Sequence, residues 1–290
     1  TGQRIQKEGT VGANQFANFH SSRLSSGRTY FLGSYMSESN GSKIFSDAGI
    51  QSTTSTRDSG LYKYLLPKYP KFDTTKIKVI AVGTGQAIIN AKNCDGNILI
   101  VHDRKRENEF INGGYGNLRH ELMYNDFVLV GPIDDKANIS RSETVLDAFT
   151  LIYNNSHPFI SRSDSSGTHS AEMKIWRKLN LNPEVHSGKW YLESGQGMGP
   201  SLNIAISLNA YILTDRSTWL RFKNKRNHSI LFENRYELKN NYSMIFVNHE
   251  RCKNLSKNSA MDLFNWLASD EAARLIKSYQ INEQNVFYVD

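Results

Sequence analysis

Only two of the 290 residues are cysteine, Cys94 and Cys252. They lie 158 positions apart and neither belongs to a Cys-x-x-Cys, so a disulfide framework, a redox motif and a zinc ribbon all fall away. One bridge between them stays open. The longest apolar runs, Val79 to Val82, Ile98 to Val101 and Phe127 to Val130, fall far short of the roughly 18 residues that span a bilayer. The eight histidines show neither His-x3-His nor His-Glu-x-x-His, so no metal site and no cofactor is expected. Gly-x-Ser-x-Gly is missing too, and with it the nucleophile elbow of a hydrolase. No RNA-module signature or paired Cys/His finger occurs. The net charge of +7 therefore reads as a solvated basic surface that favours anionic partners, with no nucleic acid expected. The chain opens at Thr1 with neither a methionine nor a charged-then-apolar leader, which reads as a processed form; the compartment cannot be read from a leader.

What is present is an ordinary globular composition, with 39% hydrophobic residues and a mean hydropathy of -0.52, over a length that suits two units or one large domain. Residues 1–43 differ from the rest. They are dense in Ser, Gly, Asn and Arg, with only Thr29 to Tyr35 strand-like, and read as a loosely ordered extension. From Ile44 a strand, a Gly/Ser/Thr turn and a helix recur, the pattern of an α/β fold with parallel strands. Strands are predicted over Ile50 to Thr53, Ile77 to Val82, Ile98 to His102, Leu122 to Val130, Phe159 to Ser161, Tyr211 to Leu213 and Met244 to Val247. Helices are predicted over Gly60 to Leu66, Gln86 to Lys92, Arg104 to Ile111, Ser142 to Asn154, Thr168 to Leu179, Ser259 to Ala268 and Glu271 to Tyr279, with a further one leading through Leu208. A basic polar stretch, Arg221 to Lys239, is left without an element.

Four strand-to-helix turns are rich in hydroxyls and glycine: Ser52-Thr53-Thr54-Ser55, Gly83-Thr84-Gly85, Ser163-Asp164-Ser165-Ser166-Gly167-Thr168 and Ser194-Gly195-Gln196-Gly197. Such turns sit at the carboxyl ends of parallel strands, where ligands bind, and each starts a helix whose N–H groups and positive dipole end attract an anion. A single turn of this kind is ordinarily just an N-cap. Four in one chain point to an oxyanion site, and Arg119 is the candidate cation, because a guanidinium offers a rigid fork of donors. Asp58 and Asp164 are expected to cap helix starts. If either faced the ligand, phosphate, which carries a proton to donate, would fit better than sulfate, molybdate or tungstate.

Enzyme readings are weaker. Ser166 and His169 share a helix's first turn, where nucleophile and base seldom align, and His102-Asp103 merely follows a strand. Gly83-Thr84-Gly85 is half of a dinucleotide fingerprint, without its third glycine or the Lys-Ser/Thr of a phosphate loop.

Seven segments, in order from about Gly49 to the end, resemble the tungstate-binding proteins of ABC transporters. They are Ser52 to Leu61, Val79 to Ala87, Gly114-Tyr115-Gly116 with Arg119, Met123 to Val128 through Gly131-Pro132, Ser161 to His169, Trp190 to Gly199, and Leu213 to Arg216. The resemblance implies a two-lobed, type II periplasmic-binding-protein-like α/β fold, closing about a hinge on one oxyanion in an interlobe cleft. It implies tungstate as ligand, with molybdate, sulfate or phosphate as alternatives, and a sensor or a hydrolase as the competing use of the same cleft. A monomer is expected, which hands its anion to a membrane permease from a periplasmic or extracellular position, with a tether through the N-terminus possible. The family's Thr-Thr-Thr-Ser motif falls on Ser52, Thr53, Thr54 and Ser55, its anion-pairing arginine on Arg119 and its Ser-Gly-Thr-His turn on Ser166 to His169. The implied ligand set is Thr54, Ser55, Thr84, Arg119, Ser166, Gly167 and Thr168. Lobe 1 is expected over residues 44–126 and 244–290, and lobe 2 over 127–243.

Overall fold

A computed structural model describes residues 28–32 and 46–290. The expectation of a loosely ordered extension over residues 1–43 otherwise lies outside these residues. Within it β1 (Arg28–Leu32) pairs antiparallel with β3 (Thr75–Val82) at the sheet's edge. The sheet runs β1-β3-β2-β4-β10-β5-β8-β6-β7, with β9 also on β5. Here β2 is Ser46–Thr53, β4 Ile98–Val101, β5 Gly116–Pro132, β6 Phe159–Ser161 and β7 Tyr191–Glu193. The remaining strands of the sheet are β8 (Tyr211–Asp215), β9 (His228–Glu233) and β10 (Lys239–Val247).

Two parallel blocks result. Strands β3, β2 and β4 run parallel to one another, as do β7, β6 and β8. Long β5 joins the blocks, antiparallel to β10 on one side and to β8 and β9 on the other. A parallel sheet is covered on both faces, so its strands read as continuous apolar runs; all four residues of β4, Ile-Leu-Ile-Val, are buried. Strand β9 lies inside the basic stretch left without an element.

The helices pack on both faces. They are α1 (Thr54–Asp58), α2 (Leu61–Leu65), α3 (Thr84–Lys92), α4 (Arg104–Asn112), α5 (Val145–Asn154), α6 (Gly167–Lys178), α7 (Met198–Leu208), α8 (Arg216–Arg221), α9 (Lys257–Leu267) and α10 (Asp270–Ser278). Start signals match the chain's own caps: Thr144 and Asp147 form a reciprocal capping box before α5, and Asp103 accepts from Arg106 N–H before α4. Asp58, in contrast to the capping role expected, is the last residue of α1 and receives Arg57 Nε at 2.6 Å.

Four cores are built, two on each block. On the β2–β4 block, Ile50, Leu65, Met244, Phe264 and Phe287 pack on one face and Ala87, Leu99, Phe110 and Ile245 on the other. On the β6–β8 block the counterparts are Phe149, Phe159, Trp176 and Tyr191, and Val128, Ile160, Leu202 and Trp219. Cys94 and Cys252 form a disulfide, tying the loop after α3 to the loop after β10 within the first block.

Candidate functional site

Strands β2 and β3 are parallel neighbours with Thr53 in register with Val82, so the turns that follow them emerge side by side. Thr53 caps α1 and Gly83 caps α3 without a cap side chain accepting from a helix N–H; Thr53 Oγ1 meets the Ser55 and Thr56 hydroxyls instead, so the first N–H groups of both helices are left without a cap acceptor. Helix α7, after Gly197, starts in the same way. In the second block β6 ends at Ser161, and the chain turns through Arg162 to Ser166 into α6.

These turns meet across the blocks. Gly167 N–H donates to Thr84 Oγ1 at 3.1 Å, Gly85 N–H to the Ser165 carbonyl at 3.0 Å, and Arg106 Nη1 to the same carbonyl at 2.8 Å. Ser170 Oγ donates to Asp103 Oδ2 at 2.9 Å. Such closeness demands glycine twice: a Cβ at Gly85 would lie 2.8 Å from that of Ser165, and one at Gly167 would run into the His102 ring.

Hydroxyls line the first block's side. Ser55 Oγ is 3.0 Å from Thr53 Oγ1 and 3.4 Å from Tyr242 Oη, and Ser52 Oγ is 2.5 Å from Tyr62 Oη. Burial pushes the Tyr62 and Tyr242 phenols well above their usual range, so both keep their protons. Thr54 is half-buried and Thr168 buried, and neither hydroxyl is held in a hydrogen bond among the described residues. Ser166 Oγ accepts from His169 N–H at 3.1 Å as the cap of α6, which leaves its own proton to donate.

The guanidinium that stands among these turns is that of Arg162, not Arg119. Arg119 Nε and Nη2 donate to Glu107 Oε2 at 3.1 and 3.0 Å, Nη1 to Glu121 Oε1 at 3.2 Å and Nη2 to Ser243 Oγ at 2.5 Å, so its fork is filled by carboxylates and a hydroxyl away from the turns. Arg162, 4% exposed, sits in the turn itself; its Nη2 donates to Asp164 Oδ2 at 2.5 Å and its Nε to the Gln196 carbonyl at 3.3 Å, linking the turns before α6 and α7. Asp164 Oδ1 accepts from Ser166 N–H, so both its oxygens are engaged. Arg162 stands directly after the end of β6, and that position is the signal by which sequence alone could single it out.

His102, directly after β4, is half-buried, and its pKa falls to about 4, chiefly through desolvation, with the bond to Asn240 opposing and the Arg162 charge adding. The imidazole is thus neutral. His169 is no base for Ser166: its ring faces Ser161 Oγ at 3.2 Å and lies 3.7 Å from Glu172 Oε2, and the Glu172 bond raises its pKa. Glu172, 2% exposed, also receives Trp176 Nε1 and Tyr191 Oη, fixing α6 against β6 and β7.

Two parallel α/β blocks joined by antiparallel strands, with hydroxyl-rich helix starts facing across a seam, define a two-lobed solute-binding fold of type II with an interlobe cleft. Residues 46–271 match the model of the PBP superfamily domain. The chain is 38% identical over 232 residues to the tungstate-binding protein TupA of Peptoclostridium acidaminophilum, covering 79% of this chain and 80% of that one. Among solved structures, the tungstate ABC transporter protein of Geobacter sulfurreducens matches with a TM-score of 0.74 and 40% identity over 80% of this chain and 98% of its own. TupA of Desulfovibrio alaskensis G20 matches with 0.73 and 34% over 84% and 99%. The chain belongs to the PBP superfamily and, within it, to the family of the TupA proteins.

Proposed function

We propose that this protein captures a tetrahedral oxyanion, tungstate first among them, between its two lobes and delivers it to the permease of an ABC transporter. The observation that carries the reading is the meeting of the α3 and α6 starts, one from each lobe, joined by Gly167 N–H to Thr84 Oγ1 beside a buried guanidinium. Thr54, Ser55, Thr84, Ser166 and Thr168 supply hydroxyls, Gly167 and its neighbours supply backbone N–H groups, and Arg162 takes the place expected of Arg119 in supplying charge. Charge-assisted bonds inside a closed cleft are roughly twice as strong as neutral ones. A ligand touching both lobes at once favours the closed state, which is the differential affinity that closure requires.

Lobe 1 comprises residues 44–126 and 244–290 and lobe 2 residues 127–243, with β5 and β10 as the hinge between them. This division is supported by cores that, Tyr242 and Leu220 on the lobe 1 core apart, draw on one set of residues or the other. Ser161 Oγ faces His169 Nδ1 at 3.2 Å and donates to Glu172 Oε2 at 2.8 Å, a shared contact that supports a binding role over a hydrolytic one. Placement outside the cytoplasm is supported by the Cys94–Cys252 bridge, since disulfides persist in oxidising compartments. Titration calorimetry with tungstate, molybdate, sulfate and phosphate tests the reading; saturable one-to-one binding of tungstate is expected, and heat-silent titration with all four would overturn it.

A further inference from the structure

The hinge strands cross at a register pair of asparagines, Asn125 on β5 and Asn240 on β10. Both are buried, at 0% and 3% exposure. Asn240 is fully used: its Oδ1 faces His102 Nδ1 at 2.8 Å, and its Nδ2 donates to Asn125 Oδ1 at 2.7 Å and to Tyr242 Oη at 3.2 Å. Asn125 is half used. Its Oδ1 takes that bond, while its Nδ2, sealed from solvent, has no acceptor.

An unpaired amide donor at full burial is rare in a native fold and asks for an explanation. Its surroundings supply one, because the same cluster reaches the turns of both lobes. Tyr242 Oη is 3.4 Å from Ser55 Oγ, and the His102 ring abuts Gly167. With a neutral imidazole donating from Nδ1, the relay runs His102 to Asn240 to Asn125 and leaves N–H, not oxygen, as the last group of the chain.

We propose that Asn125 Nδ2 is the hinge's own donor to the bound oxyanion and that it selects fully deprotonated tetrahedral anions over those that keep a proton. The proposal rests on the capture reading above and adds to it a specificity-determining residue. An amide nitrogen has no lone pair to offer a P–OH group, and the nearby carboxylates are already engaged, Asp58 by Arg57 Nε and Asp164 by Arg162 Nη2 and Ser166 N–H. The acceptors left there are hydroxyl oxygens, weaker than a carboxylate toward a P–OH proton, so the donors favour an anion that keeps none.

Asn125→Asp provides the test, since it keeps the size and the oxygen that receives Asn240 while exchanging the donor for a charged acceptor. Wild type and variant are titrated with sodium tungstate and with inorganic phosphate near neutral pH, and the unliganded melting temperature of each is recorded. Tungstate affinity is expected to fall on the order of 100-fold, and the phosphate-to-tungstate affinity ratio to rise at least about tenfold, because one hydrogen bond to a charged group is lost and repulsion is added. An Asn125→Asp protein that binds tungstate within about threefold of wild type overturns the proposal, whereas a wild type that binds no oxyanion overturns the capture reading itself. Should the variant not fold, the Asn125 side-chain amide resonance of 15N-asparagine-labelled wild type decides: a shift on saturation with tungstate supports the assignment, and an unmoved resonance defeats it.

Discussion

The two lobes approach the same seam with different chemistry. Lobe 1 presents neutral hydroxyls locked to buried phenols, Ser52 with Tyr62 and Ser55 with Tyr242, where β2 hands over to α1. Lobe 2 presents charge: Arg162 is held by Asp164 and the Gln196 carbonyl, and α6 behind it is pinned by buried Glu172. The contrast teaches a division of labour. In the capture proposed above, one wall would set the shape and hydrogen-bond geometry of the guest, and the other would supply the long-range attraction that an anion feels first.

Lobe 1 also differs in being cross-linked. Replacing Cys94 and Cys252 by serine should cost about 5 kcal/mol of stability, the scale for closing so long a loop, and denaturant melts should show the loss. The division of labour itself breaks if the arginines behave alike. Arg162→Ala should weaken tungstate binding by about 3 kcal/mol in calorimetry. Arg119→Ala should leave binding within a few-fold yet destabilise the fold by about 2 kcal/mol, because buried Glu107 loses its partner. Equal binding losses from both would erase the distinction. On the hydroxyl wall, Thr84→Ala should cost about 1 to 2 kcal/mol of affinity, a smaller step than removing the charge.

A further effect concerns pH. His102 has a folded pKa of about 4 against an ordinary value of 6.5, so the unfolded chain takes up its proton first and stability falls as pH drops from about 6.5 towards 4. Melting temperatures followed across that window should decline less steeply in His102→Gln than in wild type. A parallel decline would mean that other groups govern the acid limb.

The strand ends and their turns were legible because Ser, Thr and Gly gather where a parallel strand hands over to a helix, and this local signal needs no knowledge of the rest of the chain. Strand β9 was not. Ser229-Ile230-Leu231-Phe232 is short and follows Lys223, Lys225 and Arg226, so local charge hid a segment whose pairing with β5 comes from residues about a hundred positions earlier. The same limit separated the arginines. Both stand near glycine- and serine-rich turns; what tells them apart is Glu107 and Ser243 around Arg119, and Gln196 beside Arg162. Asn125 and Asn240 meet across 115 positions, a pairing that no spacing rule could foresee.

The bare backbone at position 167 carries one more implication. Since His102 occupies the space where any side chain would stand, a single methyl there would act as a wedge between the jaws. Gly167→Ala would retain every ligating hydroxyl and guanidinium and still be unable to shut, and small-angle scattering should record a larger radius that added anion no longer reduces. Loading in this molecule would then hang on a hydrogen atom's worth of clearance.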